Sequence, residues 1–119
     1  MAITECFAGI AVTEIGSARA WYERLLGRAP DMLPHENEAV WQLAESGWVY
    51  VVADSDRAGN GLLTLLVDDL DEQVADTAQR GLVTDPVETM TNGVRKAAIE
   101  DPDGNKITFG QPPSAARSA

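Results

Sequence analysis

The sequence is poor in the side chains from which metal sites and nucleophilic dyads are usually built: among 119 residues there is one cysteine, Cys6, and one histidine, His35. A lone cysteine excludes an intramolecular disulfide and any cysteine-rich zinc site. Cations are scarce as well. Nine Lys and Arg stand against nineteen Asp and Glu, a formal net charge of −10. Such a chain lacks the positive surface that binds nucleic-acid phosphates or an anionic membrane, so neither is expected as a partner. Acidity keeps a soluble protein dispersed and favours neutral or cationic small molecules. No apolar run approaches the roughly 18–20 residues of a membrane span. The first residues, Glu5 among them, lack the basic start and apolar stretch of a signal peptide, which points to the cytoplasm.

What is present is enough for a packed core. Hydrophobic residues make up 45% of the chain, and a single domain of this length buries about two-thirds of its unfolded surface. The chain also repeats itself. Residues 7–27, FAGIAVTEIGSARAWYERLLG, and residues 61–81, GLLTLLVDDLDEQVADTAQRG, share one plan of strand, short joint, helix and closing glycine, roughly 55 residues apart. Val12 and Ile15 correspond to Val67 and Leu70, and Gly27 to Gly81. Two copies of one module are expected, the first over residues 4–53 and the second over 61–110, within a single domain of residues 1–110.

In the first module a strand over residues 4–13 places Ala8, Ile10 and Val12 on one face and Phe7, Gly9 and Ala11 on the other. Ser17 reads as the cap of a helix whose apolar stripe is Ala18, Trp21, Tyr22 and Leu25, with Gly27 as its left-handed stop. Residues 31–53 read as two or three short strands around a polar connection at 34–38. In the last of them Val49, Val51 and Ala53 share one face, and Trp48, Tyr50 and Val52 the other; the side of Trp41 is open. Residues 54–60 form a Gly-ended linker. In the second module a strand over 62–67 leads to a D-x-x-E capping pair, Asp69 and Glu72, and a helix bearing Leu70, Val74 and Ala78. Strands over 87–90, 94–100 and 106–109 follow, the last two joined by the turn Asp101-Pro102-Asp103-Gly104-Asn105. Residues 111–119 read as a disordered tail. Each module is thus βαβββ. The expected class is α+β, paired modules whose curved sheets surround a cleft, helices on the outer face.

These residues carry a family resemblance. I-A-V-x-x-I-x-x-A-x-x-W-Y-x-x-L-L-G in the first module, with V-D-D-L-D-E-Q-V and G-V-R-K-A-A-I-E-D-P-D-G-N-K-I in the second, is similar to the vicinal oxygen chelate superfamily of glyoxalases, extradiol dioxygenases and bleomycin-resistance proteins. The likeness spans residues 4–110. In the metal enzymes of that family one ligand usually comes from the first strand of a module and another from the last. Here those positions carry Phe7 and Leu62, and Thr108 with either Tyr50 or Val51. Phe, Leu and Val cannot ligate a divalent cation, and Thr and Tyr substitute poorly for His or carboxylate. The resemblance therefore implies the metal-free, bleomycin-resistance-like branch: a homodimeric small-molecule binder without metal or cofactor, with antibiotic sequestration as one form of the activity. A glyoxalase- or dioxygenase-like lyase or isomerase with an atypical or absent metal site is the alternative.

The candidate ligand contacts are Phe7, Trp41, Trp48, Tyr50, Leu62, Thr64, Lys106 and Thr108. Aromatic rings on a concave face stack on planar molecules and gain further from a cation, so a small aromatic or cationic ligand is expected. Lys106 could meet an anionic group. No catalytic residue is assigned: His35, with Glu36 and Glu38, reads as a solvated loop, and Cys6 as a buried, inert thiol facing the helix side. The acidic run at Asp68, Asp69, Asp71 and Glu72 reads as helix capping.

Overall fold

The structure is a computed structural model that describes residues 2–113. Its elements run β1 (Cys6–Val12), α1 (Ile15–Leu26), β2 (Met32–His35), β3 (Glu38–Ala44), β4 (Gly47–Ala53), β5 (Leu62–Leu66), α2 (Leu70–Gln79), β6 (Glu88–Thr89), β7 (Arg95–Glu100) and β8 (Lys106–Gln111). They form two curved four-stranded sheets of the same plan, β1-β4-β3-β2 and β5-β8-β7-β6. In each, the first strand pairs in parallel with the last, and the remaining neighbours are antiparallel. The repeat seen in the sequence is therefore a repeat of topology, and the class is α+β.

Local chemistry explains the helices, with one revision. Helix α1 starts three residues earlier than a Ser17 cap would allow. Glu14 is the N-cap, and its carboxylate accepts from Gly16 N (2.9 Å) and Ser17 N (2.6 Å). A longer side chain reaches two orphan N–H groups where a serine reaches one. Those bonds, to Ser17 first and Gly16 second, hold the Glu14 carboxyl below its ordinary range. Gly27 ends the helix in the left-handed region (φ 77°), as expected. At α2 the cap is Asp69, accepting from Glu72 N at 3.1 Å. A second acceptor comes from far along the chain: Gln111 Oε1 takes the Leu70 N–H at 2.7 Å. Gln111 thus belongs to β8 rather than to a tail. The disordered stretch expected beyond it lies, from residue 114 on, outside the described residues. Strand β2 takes in Pro34, inside the segment read as a polar connection. It is tolerated there because β2 is an edge strand, where a missing N–H breaks no ladder.

One core serves both modules. The α1 stripe of Ala18, Trp21, Tyr22 and Leu25 is buried with Ile10, Val12, Val49 and Val51 of the first sheet, and Leu70, Ile107 and Phe109 of the second belong to the same cluster. Polar bonds tie the halves. Tyr22 Oη donates to Asp101 Oδ2 (2.7 Å), and Asn105, fully buried, donates from Nδ2 to Ala11 O (2.8 Å) and accepts from Gly61 N (2.7 Å). The D-P-D-G-N turn is therefore more than a reversal. It is the joint between the modules.

Candidate ligand cavity

Residues paired across a strand ladder point to the same side of the sheet. Phe7 is opposite Trp48, and Gly9 opposite Tyr50; Leu62 is opposite Lys106, and Thr64 opposite Thr108. The helix-side residues Ile10, Val49, Ile107 and Phe109 alternate with these and are buried. Seven of the eight candidate contacts thus occupy the sheet faces that carry no helix. The matched registers also resolve the pairing of the repeat: Thr108 corresponds to Tyr50, since each lies opposite the second residue of its first-strand face, two beyond Phe7 or Leu62. Tyr50 lies flat across Gly9, where a Cβ would come within 2.5 Å of the ring carbon Cζ.

Trp41 is the exception. Its partner on β4 is Val49, which puts it on the helix side. It is fully buried, its ring 6.3 Å from that of Tyr22, and its indole N–H donates to Arg28 O at 3.0 Å. Trp41 is a core residue and leaves the contact set.

A cavity of about 730 Å³ opens between the two sheets. Its shape follows from the free edges of β1 and β5, each the outer strand of its sheet. Asn105 draws Ala11 and Gly61 together, and Ile10 Cδ1 sits 3.2 Å from the position of a Cβ on Gly61. That closes one end of the gap. At the other, Cys6, Phe7 and Ala8 of β1 and residues 63–67 of β5 line the opening. Phe7 and Trp48 stand at this mouth as a stacked pair, centroids 5.3 Å apart and planes inclined by 16°. The Trp48 indole N–H donates to Glu5 Oε2 at 3.1 Å, fixing the ring orientation. Deeper walls come from the helix side, including Leu26, Leu43, Val49, Leu65 and Phe109.

Of the predicted contacts, Phe7, Trp48 and Thr64 line this cavity. Tyr50, Leu62, Lys106 and Thr108 lie outside it on the open faces. The aliphatic wall went unrecognised because its residue types read as core; only the gap between two strand edges exposes them. Cys6 is also revised: it is exposed at the mouth rather than buried, because the start of an edge strand has no neighbour to cover it. His35 sits in a smaller cavity of about 400 Å³ with Glu36, Glu38 and Arg19. Asn37 N–H donates to its Nδ1 (3.2 Å), so Nε2 carries the proton and donates to Glu38 Oε1 (3.0 Å).

Phe7, Leu62, Tyr50 and Thr108 do not fit a divalent cation, since they supply at most a phenol and a hydroxyl. Among the described residues no group of three or more His, Cys, Asp or Glu side chains is arranged to hold a metal ion. The chemistry available at the cavity is apolar enclosure and aromatic stacking.

Two βαβββ modules with the same strand order around a shared core define a small paired-module α+β protein of the glyoxalase type. The chain belongs to the Glyoxalase/Bleomycin resistance protein/Dioxygenase superfamily, whose profile matches residues 6–109. A glyoxalase/bleomycin resistance protein from Catenulispora acidiphila DSM 44928 is 46% identical, with a TM-score of 0.88 over 93% of this chain and 100% of that one. At lower identity the likeness is one of fold. A bleomycin-binding protein complexed with bleomycin is 21% identical (TM-score 0.75; 92% of this chain, 98% of that). A lactoylglutathione lyase from Agrobacterium tumefaciens is 16% identical (TM-score 0.70; 92% of each chain). A comparison with curated proteins finds no match.

Proposed function

We propose that this protein captures a small apolar or aromatic molecule stoichiometrically, without a metal, and works as a homodimer in the cytoplasm. Sequestration of an antibiotic is the biological form such capture would take. The observation that carries this reading is the stacked Phe7–Trp48 pair at the mouth of an apolar cavity of about 730 Å³. Phe7 occupies a position where a metal enzyme of this family would place a ligand, so the site has aromatic surface where chelation would need a donor. A volume of this size suits a ligand of a few fused or linked rings.

Dimerisation is supported by what one chain leaves uncovered. Leu62 is 83% exposed, Leu66 70% and Phe7 52%, all beside the unpaired edges of β1 and β5. Bare strand edges flanked by apolar side chains invite a second chain. Another copy laid over them would enclose the ligand and bring Tyr50, Lys106 and Thr108 into its surroundings.

Titration calorimetry against planar antibiotics of the bleomycin and mitomycin types, alongside sedimentation equilibrium, tests both parts. Saturable binding that is lost in Trp48→Ala, by a protein sedimenting as a dimer, is the expected result. Millimolar weakness towards every compound would remove the resistance reading. Turnover of the methylglyoxal–glutathione adduct with a stoichiometric bound metal would favour the enzyme instead.

A further inference from the structure

Nineteen acidic residues are spread along this chain, yet no Asp or Glu lines the large cavity, and its one charged lining residue is Arg28. Arg28 also lines a second groove of about 480 Å³ on the other side of the segment that follows α1, together with Arg24 and Arg80. Three of the chain's nine Lys and Arg, with Glu23, therefore line a groove that shares Arg28 with the apolar cavity, a local excess of cations in a protein of net charge −10. Resting on the capture reading above, we propose that the ligand is an amphipathic anion. Its apolar body fills the gap between β1 and β5, and its carboxylate, sulfonate or phosphate group lies against Arg28 and Arg24.

The arginines are placed for this. The Arg28 guanidinium is anchored by Gln42 O and by both oxygens of Asp31 (Nη1 to Oδ1 3.4 Å, Nη2 to Oδ2 3.3 Å), which leaves its Nε–H and part of the Nη donors for a ligand. Asp31 is itself held by Gln42 N at 2.7 Å. The Arg28–Asp31 pair is about half exposed, 46% and 36% at the two side chains. Ion pairs this exposed bind weakly, so the pair does not cancel the attraction for a second anion. Arg80 donates from Nε to Arg24 O and from Nη2 to Leu25 O (3.2 Å), neutralising carbonyls at the negative end of α1. The Arg24 guanidinium reaches over Gly81 with Nη1 and makes no hydrogen bond or ion pair within the described residues. A guanidinium without a side-chain partner that lines the same groove as one already positioned is an arrangement suited to an oxyanion.

Two probes that differ by one sulfonate separate the charge from the apolar body: 1-anilinonaphthalene-8-sulfonate and its neutral parent N-phenyl-1-naphthylamine. Both are titrated calorimetrically into the intact protein at low and at moderate salt. The sulfonate should bind about tenfold tighter than the neutral probe, the scale of one charge-assisted hydrogen bond, and lose that margin as salt rises. Arg28→Gln should abolish the margin, its loss of sulfonate binding exceeding any change in binding of the neutral probe. Arg24→Gln, which breaks no intrachain bond, should reduce sulfonate binding about threefold, as expected for a more exposed charge. Equal affinity for the two probes, or equal losses of both in Arg28→Gln, would overturn the anion assignment and leave capture by the cavity standing. Failure of both probes to bind, or neutral binding indifferent to Trp48→Ala, would overturn the capture reading and the anion assignment with it.

Discussion

Tyr22 Oη donates to Asp101 Oδ2 at 2.7 Å across 79 positions of sequence, joining the helix of the first module to the final turn of the second. Both groups are buried, Tyr22 to 1% and Asp101 to 5% exposure. Asp101 also accepts from Asn105 N (2.9 Å), Asn105 Nδ2 (2.8 Å) and Asp103 N (2.9 Å). Four donors and no cation satisfy this carboxylate. The cavity between the sheets keeps its shape because this joint closes one end of it.

Tyr22→Phe removes one donor from a buried carboxylate and should cost about 1–3 kcal/mol at neutral pH. The effect should also depend on alkali. Burial, and then the Asp101 hydrogen bond and charge, push the phenol up from its usual value of 10.0. A group with a raised folded pKa stabilises fully below its unfolded value, and that contribution falls as pH rises above it. Denaturant unfolding from pH 8 to 11 should therefore show a steeper alkaline loss in the wild type than in Tyr22→Phe. Parallel curves would contradict the coupling.

Gly9 and Tyr50 predict a compensating pair. A methyl group at Gly9 would overlap the Tyr50 ring, with contacts of 2.5–2.8 Å to three of its atoms. Gly9→Ala should cost about 1–3 kcal/mol by overpacking. In a Tyr50→Ala background the same change should cost little, because the ring is gone. Unfolding curves for the four proteins measure the coupling directly, and additive losses would show that the ring moves aside freely.

The Glu14 cap predicts an acid dependence. Its folded pKa lies below the usual 4.5, chiefly through the Ser17 and Gly16 N–H groups. A depressed carboxylate stabilises above its unfolded value, and the benefit is lost as pH falls through the lower folded value. Glu14→Gln should be less stable than wild type at pH 7, with the gap narrowing as pH falls below the usual 4.5 and closing only below the depressed folded value. A gap that does not change with pH would mean that the charge contributes nothing.

How far the site could be read ahead of the structure depended on the range of the interaction. Phe7, Trp48 and Tyr50 follow from strand alternation, which is local and has a period of two. Trp41 did not, because its side depends on which residue of β4 it faces, and the irregular register near Gln42 and Ala44 leaves no local mark. Cys6 was misread for a related reason. Its face was legible, but whether anything covers that face depends on a neighbouring strand. Arg24 and Arg28 stand at the end of α1 and Arg80 at the end of α2, and only the packing of the two helices brings them to one groove.

The sequence by itself determined the two-module α+β plan, the family, and the chemical poverty of the positions where metal ligands would stand. It did so because repeats, capping residues and hydrophobic period are encoded within a few residues of one another. The tertiary structure alone decided where the cavity lies and what sign of charge meets it. Both arise between strand edges and helix ends that are tens of residues apart, brought together by the Tyr22–Asp101 and Asn105 bonds across the joint.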